Sequence, residues 1–158
     1  MLTLRSATAV SDLRLAALLS GVTTIPEEFR DLFEKRTFAH VATLLPDHTP
    51  HSVPVWIDYD AEDNHLLVNT VRGSRKEQNV EESAHVAVSM TDPDDPYRFL
   101  AVRGEVVEIT EEGAVEHVNE LARRYLGKSE YPRLGEEDAP RVIVRIRPNS
   151  VTTQDSSG

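Results

Sequence analysis

The sequence predicts a mainly β fold, an antiparallel barrel or sandwich carrying a few peripheral helices. Short apolar stretches alternate with turns rich in Pro, Gly and Asp. Helical periodicity is confined to a few segments. Neither a GxGxxG nor a GxxxxGK[ST] loop is present, so nothing marks a parallel nucleotide-binding sheet.

The elements follow in order. Residues 26–35 read as a helix, with Pro26 in the first turn, Glu27 and Glu28 behind it, and Phe29, Leu32 and Phe33 on one face. Residues 38–45 read as a strand, and Pro46-Asp47-His48-Thr49-Pro50 as a hairpin-type turn. The second strand, 51–59, puts Val53, Val55 and Ile57 on one face and Ser52, Pro54, Trp56 and Asp58 on the other. An acidic turn leads to a third strand at 65–70, and a short helix at 74–82 leads to a fourth at 86–90. After a loop of Asp and Pro, residues 98–110 form a long fifth strand with a bulge expected at Gly104. Residues 111–126 read as a helix with Val115, Val118, Leu121, Ala122 and Tyr125 inward. A loop over 127–140 precedes the last strand, 142–146, extended to about 151.

The domain is expected over 25–153. In residues 1–24, Arg5, Asp12 and Arg14 interrupt the apolar pieces, which argues against a secretory signal. That segment is read as a flexible N-terminal extension, and 154–158 as a disordered tail.

Composition narrows the function classes. The chain lacks cysteine, which excludes disulfides, thiolate catalysis and cysteine metal sites and agrees with a cytoplasmic location. No stretch of roughly 20 apolar residues is present, so no membrane helix is expected. The 27 acidic residues against 17 basic ones, net −10, oppose nucleic-acid binding. The six His show no HExxH spacing, so no metal site is expected.

Against that acidic background the segment from Asn69 to Asn79 stands out. Arg72, Arg75 and Lys76 fall within five residues, mixed with Thr70, Ser74 and Gly73, where a strand gives way to a helix. Arg presents a planar fork of donors, Lys a point charge, and a helix beginning near Ser74 adds free N–H groups; together these suit a phosphate. A solvated basic turn is the competing reading.

Further motifs follow in a definite order: His51-Ser52-Val53-Pro54-Val55-Trp56, then Asn69-Thr70, Arg75-Lys76 and Asn79, then Val86 to Met90, Asp94-Asp95-Pro96-Tyr97-Arg98 and Val102-Arg103-Gly104-Glu105-Val106. This order resembles the flavin and deazaflavin split-barrel family, the pyridoxamine 5'-phosphate oxidase-like proteins, and most of all the branch that uses coenzyme F-420. The resemblance covers about residues 26–153. It implies a six-stranded antiparallel split barrel of the FMN-binding type, working as a homodimer with its cofactor in a groove between subunits. The cofactor it implies is F-420 (8-hydroxy-5-deazaflavin) or FMN. By the same resemblance Thr70, Ser74, Arg75 and Lys76 hold its phosphate, helped by Arg72, and Asn69 belongs to the same motif. Val53, Pro54, Val55 and Trp56 line the ring, and Asn79 is structural as much as binding. Arg72, Arg98 and Arg103 are candidates for the acidic tail of F-420. The implied activity is hydride transfer to or from a small conjugated or quinone-like substrate; the alternative is a non-catalytic flavin-, deazaflavin- or haem-binding protein. The C-terminal segment lacks the His pattern of true pyridoxamine-phosphate oxidases, which speaks against vitamin B6 oxidation.

Overall fold

The computed structural model describes residues 23–155. One antiparallel sheet of seven strands forms the body, in the order β2–β1–β5–β6–β7–β4–β3. The strands are β1 (Phe38–Leu44), β2 (Pro50–Trp56), β3 (Asp58–Asp60), β4 (His65–Val71), β5 (His85–Asp92), β6 (Asp95–Thr110) and β7 (Arg141–Gln154). Two α-helices are inserted, α1 (Arg75–Glu82) and α2 (Ala114–Leu126). All six expected strands form, and the second is divided at Ile57 into β2 and β3. Although β2 and β4 stand far apart in the sheet order, Pro54–Trp56 and Asn69–Val71 line one cavity. The sheet therefore curls on itself, and the gap between its two ends is the split of the barrel.

Alternation sets which face is inside. Along β5 every second residue is buried, so Val86, Val88 and Met90 enter the core while His85, Ala87 and Ser89 face out. Val41, Leu66, Val68, Leu100, Val102, Val144 and Ile146 complete the interior from neighbouring strands.

The expected N-terminal helix is present as a 3-10 helix, Glu27–Phe33, with Phe29, Leu32 and Phe33 packed on the core as read. Helix α2 corrects one assignment. Val115 is exposed, while Ala114, His117, Val118, Leu121, Ala122 and Tyr125 are buried. The buried stripe starts at Ala114 and recurs at helical spacing, which rotates Val115 to the solvent side.

The expected extension over 1–24 and tail over 154–158 lie mostly outside the described residues. Where they are described, both ends are tied in: Thr23 N–H donates to Pro148 O, and Gln154 closes β7. Among the described residues no helix is long and apolar enough to cross a membrane.

Candidate functional site

The cation-rich junction forms where β4 runs into α1. Gly73 adopts a positive φ of 85°, which frees the chain to turn, and Ser74 caps the helix by accepting from Glu77 N–H. Glu77 in turn accepts from the Gly73 N–H at 3.0 Å, so its side chain ties the first turn back to the residue before the cap. Thr70 Oγ1 donates to Ser74 Oγ at 3.1 Å, fastening strand to helix.

Beside this junction lies a cavity of about 300 Å³ between the two ends of the sheet. Pro54, Val55, Trp56, Asn69, Thr70 and Lys76, all candidates from the sequence, line it. One wall is aromatic. The Trp56 ring stacks on Tyr125 at 5.0 Å and meets Tyr131 edge-on at 5.9 Å. Lys76 and Arg141 bring cations to the same cavity. Lys76 is half-buried and has neither a hydrogen bond nor an ion pair among the described residues. Burial first, and then the nearby Arg141 guanidinium, push its ammonium below the usual lysine range.

Five candidates stand outside the cavity lining. Arg72 is committed to acids, donating to Glu77 at 3.2 Å and to Glu111 at 2.8 Å. Ser74 is one hydrogen bond behind Thr70, and Arg75 is an exposed residue opening the helix. Val53 pairs with Val41 further along β2. Asn79 is buried and donates to Thr43 Oγ1 at 2.9 Å, so it binds α1 to β1.

The tail assignment of Arg98 is corrected. Its guanidinium is 15% exposed and is saturated by Asp31, Asp92 and the Glu28 carbonyl. Arg103 faces a larger cleft of about 580 Å³ against β1 and β5, lined largely by small residues such as Ala42, Ala87 and Gly104. That cleft has neither the aromatic wall nor the unpaired lysine, so the smaller cavity is the better-equipped site. Tyr97, in the motif before Arg98, is 71% exposed.

Sequence reading missed Arg141 and Tyr131. Arg141 donates to Asn69 Oδ1 at 3.2 Å, is paired with Glu137, and lies over the Tyr131 ring at 4.4 Å. Only strand pairing could reveal it: Val71 is opposite Arg141, which sets the start of β7 against the junction.

The family model for pyridoxamine 5'-phosphate oxidase matches residues 25–155, which is most of the chain. The chain belongs to the pyridoxamine 5'-phosphate oxidase family. Solved structures agree. An F-420 reductase is 34% identical, with a TM-score of 0.70 over 81% of this chain and 98% of that one. A conserved hypothetical protein from Mycobacterium tuberculosis is 23% identical, with a TM-score of 0.65 over 85% and 87% of the two chains. HupZ from Group A Streptococcus is 20% identical, with a TM-score of 0.60 over 84% and 96%. No curated protein matches the chain by sequence. The pyridoxamine 5'-phosphate oxidase family binds flavin-type cofactors, and its split barrel is a flavin- or deazaflavin-related oxidoreductase fold.

Proposed function

We propose that this protein is an oxidoreductase that binds coenzyme F-420, with FMN as the alternative cofactor, and works on a small conjugated or quinone-like substrate. The observation that carries the reading is Lys76: a half-buried cation without a carboxylate partner, lining a cavity that also has an aromatic wall. A buried charge left unpaired is costly, and a ligand phosphate relieves that cost. The residues present fit such a ligand. Lys76 and Arg141 would neutralise the phosphate, Thr70 and Ser74 would offer hydroxyls, and Arg75 would reach it from the exposed side of the first helical turn. Pro54, Val55, Trp56 and Tyr131 would lie along the ring system. The preference for F-420 rests on the 34% identical F-420 reductase.

When bound, the cofactor supplies hydride transfer at its central ring. The protein's own part is binding, orientation and exclusion of water. Stacked Trp56 and Tyr125 make a rigid wall, and Tyr131 from the loop before β7 meets Trp56 edge-on. The protein is further proposed to work as a homodimer. Phe38, a cavity residue 55% exposed, is an apolar side chain that a second copy would cover.

Fluorescence titration with F-420 and with FMN tests the assignment. Tight F-420 binding is expected, and Lys76→Ala should weaken it by about 1–3 kcal/mol, the loss of a charge-assisted hydrogen bond. Arg75→Ala, at an exposed position, should cost less. Unchanged affinity in Lys76→Ala would sink the phosphate assignment. Reduction of a quinone by the loaded protein separates turnover from simple binding.

A further inference from the structure

Behind the cavity runs a buried polar chain that cofactor binding by itself does not require. His117, 6% exposed, links α2 to the sheet. Its Nδ1 is 3.1 Å from Asn69 Nδ2, and its Nε2 is 3.0 Å from Asp58 Oδ2. Donor and acceptor chemistry sets the direction of each link. Ala114 O only accepts, so the Asn69 nitrogen, 2.8 Å away, must face it. The same nitrogen faces His117 Nδ1, which therefore accepts. The ring proton then sits on Nε2 and is donated to Asp58. Asn69 Oδ1 remains to accept from Arg141 at 3.2 Å.

We infer that His117 is a positioning residue for the anion-binding end of the cavity: as neutral imidazole it locks the Asn69 amide, and the locked amide aims Arg141. The inference rests on the phosphate site proposed above. An imidazolium would break the arrangement. Its Nδ1–H would meet the Asn69 N–H donor against donor. Turning the amide over would set its oxygen against Ala114 O and its nitrogen against Arg141. Either way a bond is lost, and the turned amide takes the Asn69 acceptor from Arg141 and leaves it held by Glu137. The charged groups connected to the imidazole are Asp58 on β3, Arg124 on its own helix and, through Asn69, Arg141 on β7. Arg124 donates to Asp58 Oδ1 at 2.9 Å, and Arg141 is paired with Glu137.

Two measurements on the full chain test this. The first is nitrogen-15 NMR of the ligand-free protein between about pH 8 and about pH 5, the range in which histidine titrates. The Nε2–H tautomer is expected at the upper end, with the Asn69 side-chain amide and the Arg141 guanidinium signals moving as the pH falls. An Nδ1–H tautomer, or still Asn69 and Arg141 signals through the titration, overturns the inference. The second is binding of sulfate, whose charge is constant over that range. Wild-type affinity should fall roughly three- to tenfold on acidification. His117→Gln, which offers an acceptor and a donor on one planar amide, should keep the neutral-pH affinity and lose the pH dependence. His117→Leu should bind weakly throughout. The same pH dependence in wild type and His117→Gln, or tighter binding on acidification, overturns the inference. Lys76→Ala reports on the anion site separately: if it binds sulfate as wild type does, the phosphate reading fails, while the NMR result still decides what His117 does.

Discussion

Tyr125 shows how one buried hydroxyl holds a strand open. Its OH donates to Thr37 O at 2.5 Å and accepts from Ile57 N–H at 3.1 Å, at the residue where β2 gives way to β3. The Ile57 N–H has left the strand ladder there, and the phenol satisfies it. Burial pushes this hydroxyl up from the ordinary tyrosine range, so it stays protonated and able to donate. Tyr125→Phe keeps the ring on which Trp56 stacks but strands that amide, and should cost about 1–3 kcal/mol. Thermal unfolding checks it, with an expected fall in Tm of a few degrees; an unchanged Tm would mean that water replaces the phenol. From the sequence, Tyr125 is legible as an inward helical residue through its spacing from Val118, Leu121 and Ala122. Its hydrogen bonds are not, because both partners lie more than sixty residues away along the chain. The same holds for Lys76, legible as a cation at a strand–helix junction, while its want of a carboxylate partner depends on where every acid of the fold comes to lie.

At the level of elements, β6 carries the clearest link between sequence and shape. Gly104 falls where the register of β6 against β7 slips, as a glycine inside a long strand foretells. A Cβ there would stand 2.4 Å from Arg147 O, a backbone atom that cannot swing aside. Gly104→Ala should therefore destabilise by about 1–3 kcal/mol, as overpacking does, and denaturant melts would show it. A variant as stable as wild type would mean that the two strands can part at the bulge. Element identity was largely readable because period-two and helical spacing differ sharply. Phase was less so. Reading α2 from Glu111 made Val115 look inward, yet the helix begins at Ala114 after Gly113 in the left-handed region, and that start sets the rotation.

For the whole molecule, the N-terminal 3-10 helix is held to the barrel by a cluster of charges. Lys35 and Arg98 donate to Asp92 at 2.9 Å and 2.8 Å, and Arg98 also grips Asp31. Asp92 is 5% exposed, so burial opposes its charge, but the Asp94 N–H, Lys35 and Arg98 outweigh burial and hold its carboxyl at about 2. A carboxylate lowered in the folded state stabilises above its unfolded value, near 4, and the contribution is lost as pH falls toward 2. The contribution at neutral pH is on the order of 2 kcal/mol. Asp92→Asn should lower stability near neutrality by at least that much and flatten the acid-unfolding profile between about pH 4 and pH 2. Parallel profiles for wild type and variant would place the acid sensitivity in another group. Sequence reading left Arg98 as a candidate ligand contact because a lone strand arginine carries no sign of its partners. Asp31, on a distant segment, became that partner only through folding.

By itself the sequence determined the strand and helix content, the bulge at Gly104 and the chemistry of the junction from Asn69 to Asn79. Each is written in residues close together in the chain: alternating apolar positions, a glycine within a strand, cations and hydroxyls ahead of a helix cap. Tertiary structure alone decided which cations stay unpaired, that Arg141 and Tyr131 join the cavity, and that His117 lies between Asn69 and Asp58. These follow from the curl of the sheet and the pairing of β4 with β7, which join segments some seventy residues apart. Charge neutralisation acts over a few ångströms of space, so the order of residues along the chain cannot reveal it.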